Sequence, residues 1–335
     1  MRAARRGALL HVLNGDATAA VLARSGVPGD RLPFREALIS GPTPFGVRTE
    51  AWRSLRAAHL ADEAGLDVQD VERALLEQEQ ALEGIADHAE VVLWFEHDLF
   101  CQVNLVHLLS RFAELDAPET RISMVDVGEL VTVEGFRGLG QLSPEDLVAL
   151  FESRREVTEA QTAAAVQAWA AYRSPDPASL EDVLATGTSP LPFLHEALTC
   201  HLARFPSVRN GLGHVENVAL GRIADGVGSF SSLFDEFGVA YPGYGLGDTQ
   251  FRACLDRLAV GRDPLLGLEG NGEDEAHLRY TLTGTGRRVL QNERDFIETN
   301  GLDVWLGGVH LRDGATVWRW DERSEELVAQ PPGGP

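Results

Sequence analysis

The feature that most constrains the fold is Glu90–Phe112 (EVVLWFEHDLFCQVNLVHLLSRF), where the hydrophobic period changes in mid-segment. Val91-Val92-Leu93-Trp94-Phe95 is apolar, β-branched and aromatic, the pattern of a strand buried on both faces. From Leu99 onward, Cys101, Leu105, Leu108 and Phe112 recur at helical spacing. Asn104, His107 and Arg111 fall on another face, where His107 is expected to be solvated. Between strand and helix stand three polar residues, Glu96-His97-Asp98. In a parallel α/β sheet such a corner lies at the carboxyl edge, where open sheets bind ligands.

The same design opens the chain. Ala8–Leu13 reads as a strand, Asn14-Gly15-Asp16 as its polar turn, and Ala17–Arg24 as a short helix with Asp16 as N-cap. Asp30–Ile39 is expected to be extended, carrying Arg31, Arg35 and Glu36 up to the breaker-rich Gly41–Gly46. Thr49–Ala64 and Asp67–Ala86 have amphipathic helical spacing, and Arg121–Val127 is a further strand ending near Asp126. The alternation predicts an α/β fold over residues 1–135: a small parallel sheet with flanking helices, Rossmann-like in layering.

The character then changes. Ser143-Pro144-Glu145-Asp146 is a strong helix start, and Leu147–Tyr172 reads as one Ala-rich helical stretch ended by Ser174-Pro175-Asp176-Pro177. Helices at Ser179–Ala185 and Leu191–Arg204 complete a helical connector over residues 136–209. Residues 210–328 read as a winged-helix-like α+β domain. Its helices are His214–Ala224, Phe230–Phe237 and Asp248–Ala259. Strands Pro264–Glu269 and His277–Thr283 flank an acidic tip at residues 270–275, a helix spans Gly284–Phe296, and Leu302–Trp320 forms a terminal hairpin turning at Asp313-Gly314. Residues 329–335 read as a tail, with the last five expected to be disordered.

Composition narrows the chemistry. The chain has 335 residues and a formal charge of −22, and all 29 of its basic residues are Arg. The absence of Lys excludes a lysine Schiff base and a P-loop lysine. The acidic balance disfavours nucleic acid and anionic membranes as partners. Gly211–Glu325 alone carries 11 Arg against 19 acidic residues. Cys101, Cys200 and Cys254 are sparse and lack metal-type spacing, which points to buried thiols in a reducing, cytoplasmic setting. Arg2, Arg5 and Arg6 precede an apolar run that Asn14-Gly15-Asp16 interrupts too early for a signal peptide. A lone Gly15 is neither a dinucleotide fingerprint nor a P-loop.

Three words of the sequence, HVLNGD (His11–Asp16), LWFEHDLFCQ (Leu93–Gln102) and WLGGVHL (Trp305–Leu311), resemble a mostly bacterial family classed as a domain of unknown function. The resemblance implies an N-terminal α/β half and a helical downstream half, and carries no activity with it.

The chemistry must therefore come from the edge that collects Asn14, Asp16, Glu96, His97, Asp98 and Asp126. Each has a structural alternative. Asp16 and Asp98 sit where N-caps belong, Asn14-Gly15 can be a plain turn, His97 can be a packed imidazole, and His11 inside its strand reads as structural. Convergent carboxylates would repel a bare phosphate, which two arrangements resolve. A magnesium or manganese ion held by Asp16, Asp98 and Asp126 could bridge to the phosphate, with His97 or Glu96 as general acid or base. Alternatively, the carboxylates could bind hydroxyls or an amine. Asn14, Gly15, Arg35 and Gln102 are candidate substrate-binding residues. The expectation is a small-molecule enzyme, a hydrolase or transferase acting on a nucleotide or other phosphorylated compound. Its alternatives are a ligand-sensing regulator or protein-interaction module using the winged-helix-like half, and a catalytically silent scaffold. Trp305, Trp318 and Trp320 fit a core or a homo-oligomer interface.

Overall fold

In the computed structural model the described residues are 8–332, apart from 116, 129, 131–135 and 271–277. Five strands form the main sheet: β1 (Leu9–Leu13), β2 (Asp30–Pro33), β3 (Glu90–Trp94), β4 (Arg121–Met124) and β5 (Arg155–Glu156). Their order is β2-β1-β3-β4-β5, parallel except for β5. The helices between them are α1 (Asp16–Arg24), α2 (Thr49–Ala64), α3 (Val68–Glu83), α4 (Leu99–Glu114) and α5 (Pro144–Ser153). Every residue of β3 is buried: Val91–Trp94 as an apolar run in a central strand covered on both faces requires, and Glu90 paired with Arg121 and Arg154.

One face of the sheet packs Leu13, Leu22, Val92, Trp94 and Leu147 into a cluster under α1 and α5. The other face is continuous with a larger core. Leu93 and Val103 join Trp169, Leu194 and Phe205 there, with Leu311 and Trp320 from the C-terminal strands. That core is built on α6 (Glu159–Tyr172), α7 (Ala178–Thr186) and α8 (Leu194–Leu202).

The Ala-rich stretch expected to be one helix is two. Ser143 and Asp146 form a capping box that starts α5, and Thr158 and Gln161 form a second that starts α6. Between them Arg155–Glu156 pairs with β4. Alanine propensity loses here to a local cap that satisfies the amides of a new helix.

Then follow α9 (His214–Ala224), α10 (Phe230–Ala240), α11 (Asp248–Ala259), β6 (Leu266–Glu269), β7 (Arg279–Leu282), α12 (Gly284–Leu290) and α13 (Phe296–Asn300). β6 and β7 pair antiparallel, and Ser229 bridges to Arg279, the strand arrangement of a winged helix. Most of the acidic tip, and His277, lie outside the described residues. The single helix expected over Gly284–Phe296 is α12 and α13, because Asn292 adopts positive φ between them and Asp295 caps the second.

The end of the chain differs most from expectation. β8 (Asp303–Leu306) and β9 (Val309–Arg312) form one hairpin, while β10 (Val317–Asp321) and β11 (Glu326–Gln330) form another. The first turns at Gly307-Gly308, not at Asp313-Gly314. Gly308 donates to the Tyr172 carbonyl at 2.8 Å, and a Cβ there would lie 1.9 Å from the Arg173 carbonyl. Only glycine permits that approach. Asp313 instead accepts from the Leu302 amide. Of the residues read as a tail, Ala329 and Gln330 instead belong to β11 and pair with β10, Pro331 and Pro332 are exposed, and residues 333–335 lie outside the described residues. No helix among the described residues is long and apolar enough to cross a membrane.

Candidate functional site

The strand order sets the site. From β1 the chain passes outward to β2, and from β3 it passes the other way to β4. The switch point, where open sheets of this kind bind ligands, therefore falls between the carboxyl ends of β1 and β3. Asn14 leaves β1 at that point and Glu96 leaves β3. The Asn14 amide extends the ladder to the Trp94 carbonyl at 3.1 Å, and its side-chain Nδ2 donates to Glu96 Oε1 at 2.8 Å and Oε2 at 2.6 Å. Two polar corners 82 residues apart thus share one hydrogen-bonded contact.

Glu96 is only 2 % exposed. Its carboxyl also accepts the Leu139 amide at 2.6 Å and the Cys101 thiol at 2.8 Å. Gln102 Nε2 donates to the Glu96 backbone carbonyl at 2.7 Å and so fixes the corner. Burial pushes the Glu96 carboxyl above the ordinary range, although Cys101, Leu139 and Asn14 all donate to it. Asp98 is the N-cap of α4, accepting the Cys101 amide at 2.8 Å. Burial first, and the Glu96 charge second, raise its pKa to about 6.

His97 is half-buried between the rings of Phe136 and Phe193, and its Nδ1 is buried with no hydrogen-bond partner among the described residues. Gly15 occupies the N-cap position of α1, which has no side-chain cap, and the space where its Cβ would point is open.

The other expected site residues are engaged elsewhere. Asp16 is the first residue of α1, not its N-cap. It is exposed and bound by Arg35 through two contacts of 2.7 and 3.0 Å, which hold its carboxyl below the usual range. Arg35 is likewise exposed. Asp126 pairs with Arg155 at 3.3 Å and accepts the Gly128 amide. Among the described residues the group of acidic, thiol or imidazole side chains that could hold a metal is Glu96, Asp98 and Cys101, whose ligand atoms lie within 4.8 Å of one another.

Sequence reasoning missed Cys101, which its helical spacing marks as apolar, and Leu139, whose amide arrives from a loop 43 residues downstream of Glu96. His11 is structural. It is fully buried, accepts from the Trp94 indole at 3.1 Å and contacts the Pro28 carbonyl at 3.0 Å. His107 is not solvated as expected. It packs among Phe34, Trp52 and Trp169, and burial pushes its pKa down to about 3.

The winged-helix-like half touches the site. A Cβ on Gly245, just before α11, would lie 2.2 Å from Asp98 Oδ1, so the two halves meet at the start of α4. Helix α11 lies against α2, with Gln250 Nε2 donating to Glu63 at 3.1 Å.

Fold and site together define a mixed α/β protein with a buried carboxyl at the switch point of its sheet. No protein-family model matches the chain, and no curated protein matches it significantly.

Proposed function

We propose that the chain is a small-molecule enzyme acting at the switch point between β1 and β3 on a nucleotide or another phosphorylated compound. Glu96 is the proton-carrying group, His97 the second acid–base group, and Asn14 and Gly15 line the substrate side. Gln102 positions Glu96 through its backbone carbonyl.

The observation that carries this reading is the Asn14–Glu96 contact at the switch point, made to a buried carboxyl shifted toward its protonated form. A carboxyl whose pKa is raised by burial holds its proton more tightly than a free one, the direction a general acid needs. Its protonation also removes the repulsion that convergent carboxylates would exert on a phosphate. Asp98 is shifted the same way, and Arg35 and Arg155 neutralise Asp16 and Asp126. The amides of α1, left without a side-chain cap beside open space at Gly15, are the natural anion contact.

The test is thermal stabilisation by a panel of nucleoside monophosphates and sugar phosphates. A ligand present at about 100 times its Kd stabilises by about 2.7 kcal/mol. Glu96→Gln keeps the shape of the neutral carboxyl, so it is expected to fold like the wild type and to lose the ligand-induced shift, as is His97→Ala. Full shifts in both variants would remove the pair from the site.

A divalent cation is a second reading, favoured by the Glu96, Asp98 and Cys101 cluster. A set with a thiol and two carboxylates suits zinc better than the magnesium or manganese expected from carboxylates alone. When bound, the ion would supply a Lewis acid. Cobalt(II) added to the wild type is then expected to give a thiolate charge-transfer band that Cys101→Ser abolishes. No band, or one retained in Cys101→Ser, rejects this reading. Nucleic acid is not proposed as a partner, since α11 is packed on α2 and the chain is strongly acidic.

A further inference from the structure

A cavity of about 300 Å³ lies apart from the sheet edge, between α2, α3, α4 and α6 and the loop before α2. Its walls are aromatic. Trp52 of α2 lies nearly parallel to His107 of α4, with centroids 6.5 Å apart at 16°. It meets Trp169 of α6 edge-on at 6.1 Å. Phe34 closes the inner side, and Phe45, 67 % exposed, stands at the rim.

The charges on this lining are unevenly matched. Arg53 is paired with Glu79 at 2.5 Å and Arg111 with Glu83 at 3.1 Å. Arg173 has no carboxylate within ion-pair distance among the described residues. Its guanidinium lies 4.7 Å from the Trp52 ring, 5.4 Å from Trp169 and 5.9 Å from Phe45. Among the described residues it donates to the Pro44 carbonyl alone, at 2.6 and 3.2 Å. Burial lowers its pKa, and Glu114 acts on it only from longer range. His107, held neutral by burial and by Arg111, Arg173 and Arg56, adds no charge of its own. Within a chain of net charge −22, the cavity thus holds, against aromatic walls, one cation with no carboxylate in contact among the described residues. Cation–π contact partly offsets the desolvation of such a group, and an anion would complete it.

We propose that this cavity binds a planar aromatic monocarboxylate, its ring against Trp52 and Trp169 and its carboxylate on Arg173. Ring walls favour an aromatic over an aliphatic body. A single such cation, in a lining that also contains Glu79 and Glu114, matches a monoanion better than a phosphate dianion.

Calorimetric titration of the full chain with 2-naphthoate and with its neutral analogue 2-naphthamide tests this. The acid is expected to bind one to one and to quench tryptophan fluorescence, with the amide weaker by about tenfold, or about 1.4 kcal/mol. Arg173→Met is expected to bring the acid down to the level of the amide. Val166, 39 % exposed at the rim, can become Trp without disturbing the core, and Val166→Trp is expected to block both ligands. Glu96→Gln is expected to bind naphthoate like the wild type, which separates this site from the sheet edge. Absent binding of naphthoate, equal affinity for acid and amide, or unchanged binding in Val166→Trp would each overturn the proposal.

Discussion

Replacing Arg56 with Met is expected to lower the unfolding free energy by about 3–5 kcal/mol, the range for a buried ion pair that loses one partner. Arg56 lies inside α2 with no exposure, and Glu36 opposite is 5 % exposed. The guanidinium donates to the Glu36 carboxylate at 2.9 and 3.2 Å, to the Ser40 and Pro42 carbonyls at 2.7 and 3.3 Å, and to the Ala37 carbonyl at 3.0 Å. Methionine fills much of the volume but answers none of these acceptors. Glu36 would keep the Ala37 amide at 3.2 Å and no cation in contact. The cost therefore lies in the stranded carboxylate rather than in the loss of an intrinsically strong bond. It follows that Arg56→Met combined with Glu36→Gln should recover a large part of the loss. Urea unfolding reads both, as a shift in midpoint at unchanged slope. A loss under about 1 kcal/mol in the single variant, or a double variant no better than the single, would defeat the argument. The same pair anchors the segment between β2 and α2, which supplies Phe34 and Phe45 to the aromatic cavity.

Arg56 also marks where the sequence stops being informative. The strand–corner–helix units around Asn14 and Glu96 were legible because each changes hydrophobic period at a polar break. Thr49–Ala64, His214–Ala224 and Asp248–Ala259 were legible because amphipathic spacing and terminal breakers agree. An arginine inside an amphipathic helix, by contrast, reads as surface unless the loop that folds over it is known. His107 failed for the same reason. Its own helix places it on a polar stripe, and only Trp52 and Trp169, from two other helices, turn that stripe into an aromatic wall. The Gly307-Gly308 turn was overlooked because Asp313-Gly314 is the stronger hairpin signal. The close approach to Tyr172 and Arg173 that demands glycine is a tertiary fact. At the site, crossover topology brings residues 14 and 96 to one edge. Whether the carboxylates of Asp16, Glu96 and Asp126 face one another, face solvent or are taken up by other groups is decided by Arg35, Arg155 and the Leu139 amide, none of which follows from periodicity.

The second large effect concerns Asp98. Asp98→Asn is expected to stabilise the protein above pH 6, and the gain should vanish in acid. In the folded chain burial, and then the charge of Glu96, raise the Asp98 pKa from 3.8 to about 6. The native carboxyl therefore holds its proton more tightly than the unfolded one. Below 3.8 both states are protonated, and the aspartate carries no penalty. Between 3.8 and about 6 the unfolded chain ionises first. Above that window both states are ionised, and the native state bears the full desolvation cost. A shift of about two units corresponds to at most about 3 kcal/mol at 1.36 kcal/mol per unit. Asparagine keeps the Oδ1 acceptor for the Cys101 amide and remains a good N-cap, so little of the gain should be lost through the cap. Titrations shared by the two proteins, including the carboxylate of Glu90, which its arginine partners Arg154 and Arg121 hold down to about 2 against the opposing effect of burial, cancel in the difference. The measurement is the unfolding free energy of both proteins from pH 4 to pH 8. Because Asp98 is coupled to Glu96, the window belongs to the pair, and Glu96→Gln in the same background should narrow it. A difference that is flat with pH, or that widens toward acid, would mean that Asp98 is an ordinary ionised cap. The lowered repulsion proposed for phosphate binding at this edge would then rest on Glu96 alone.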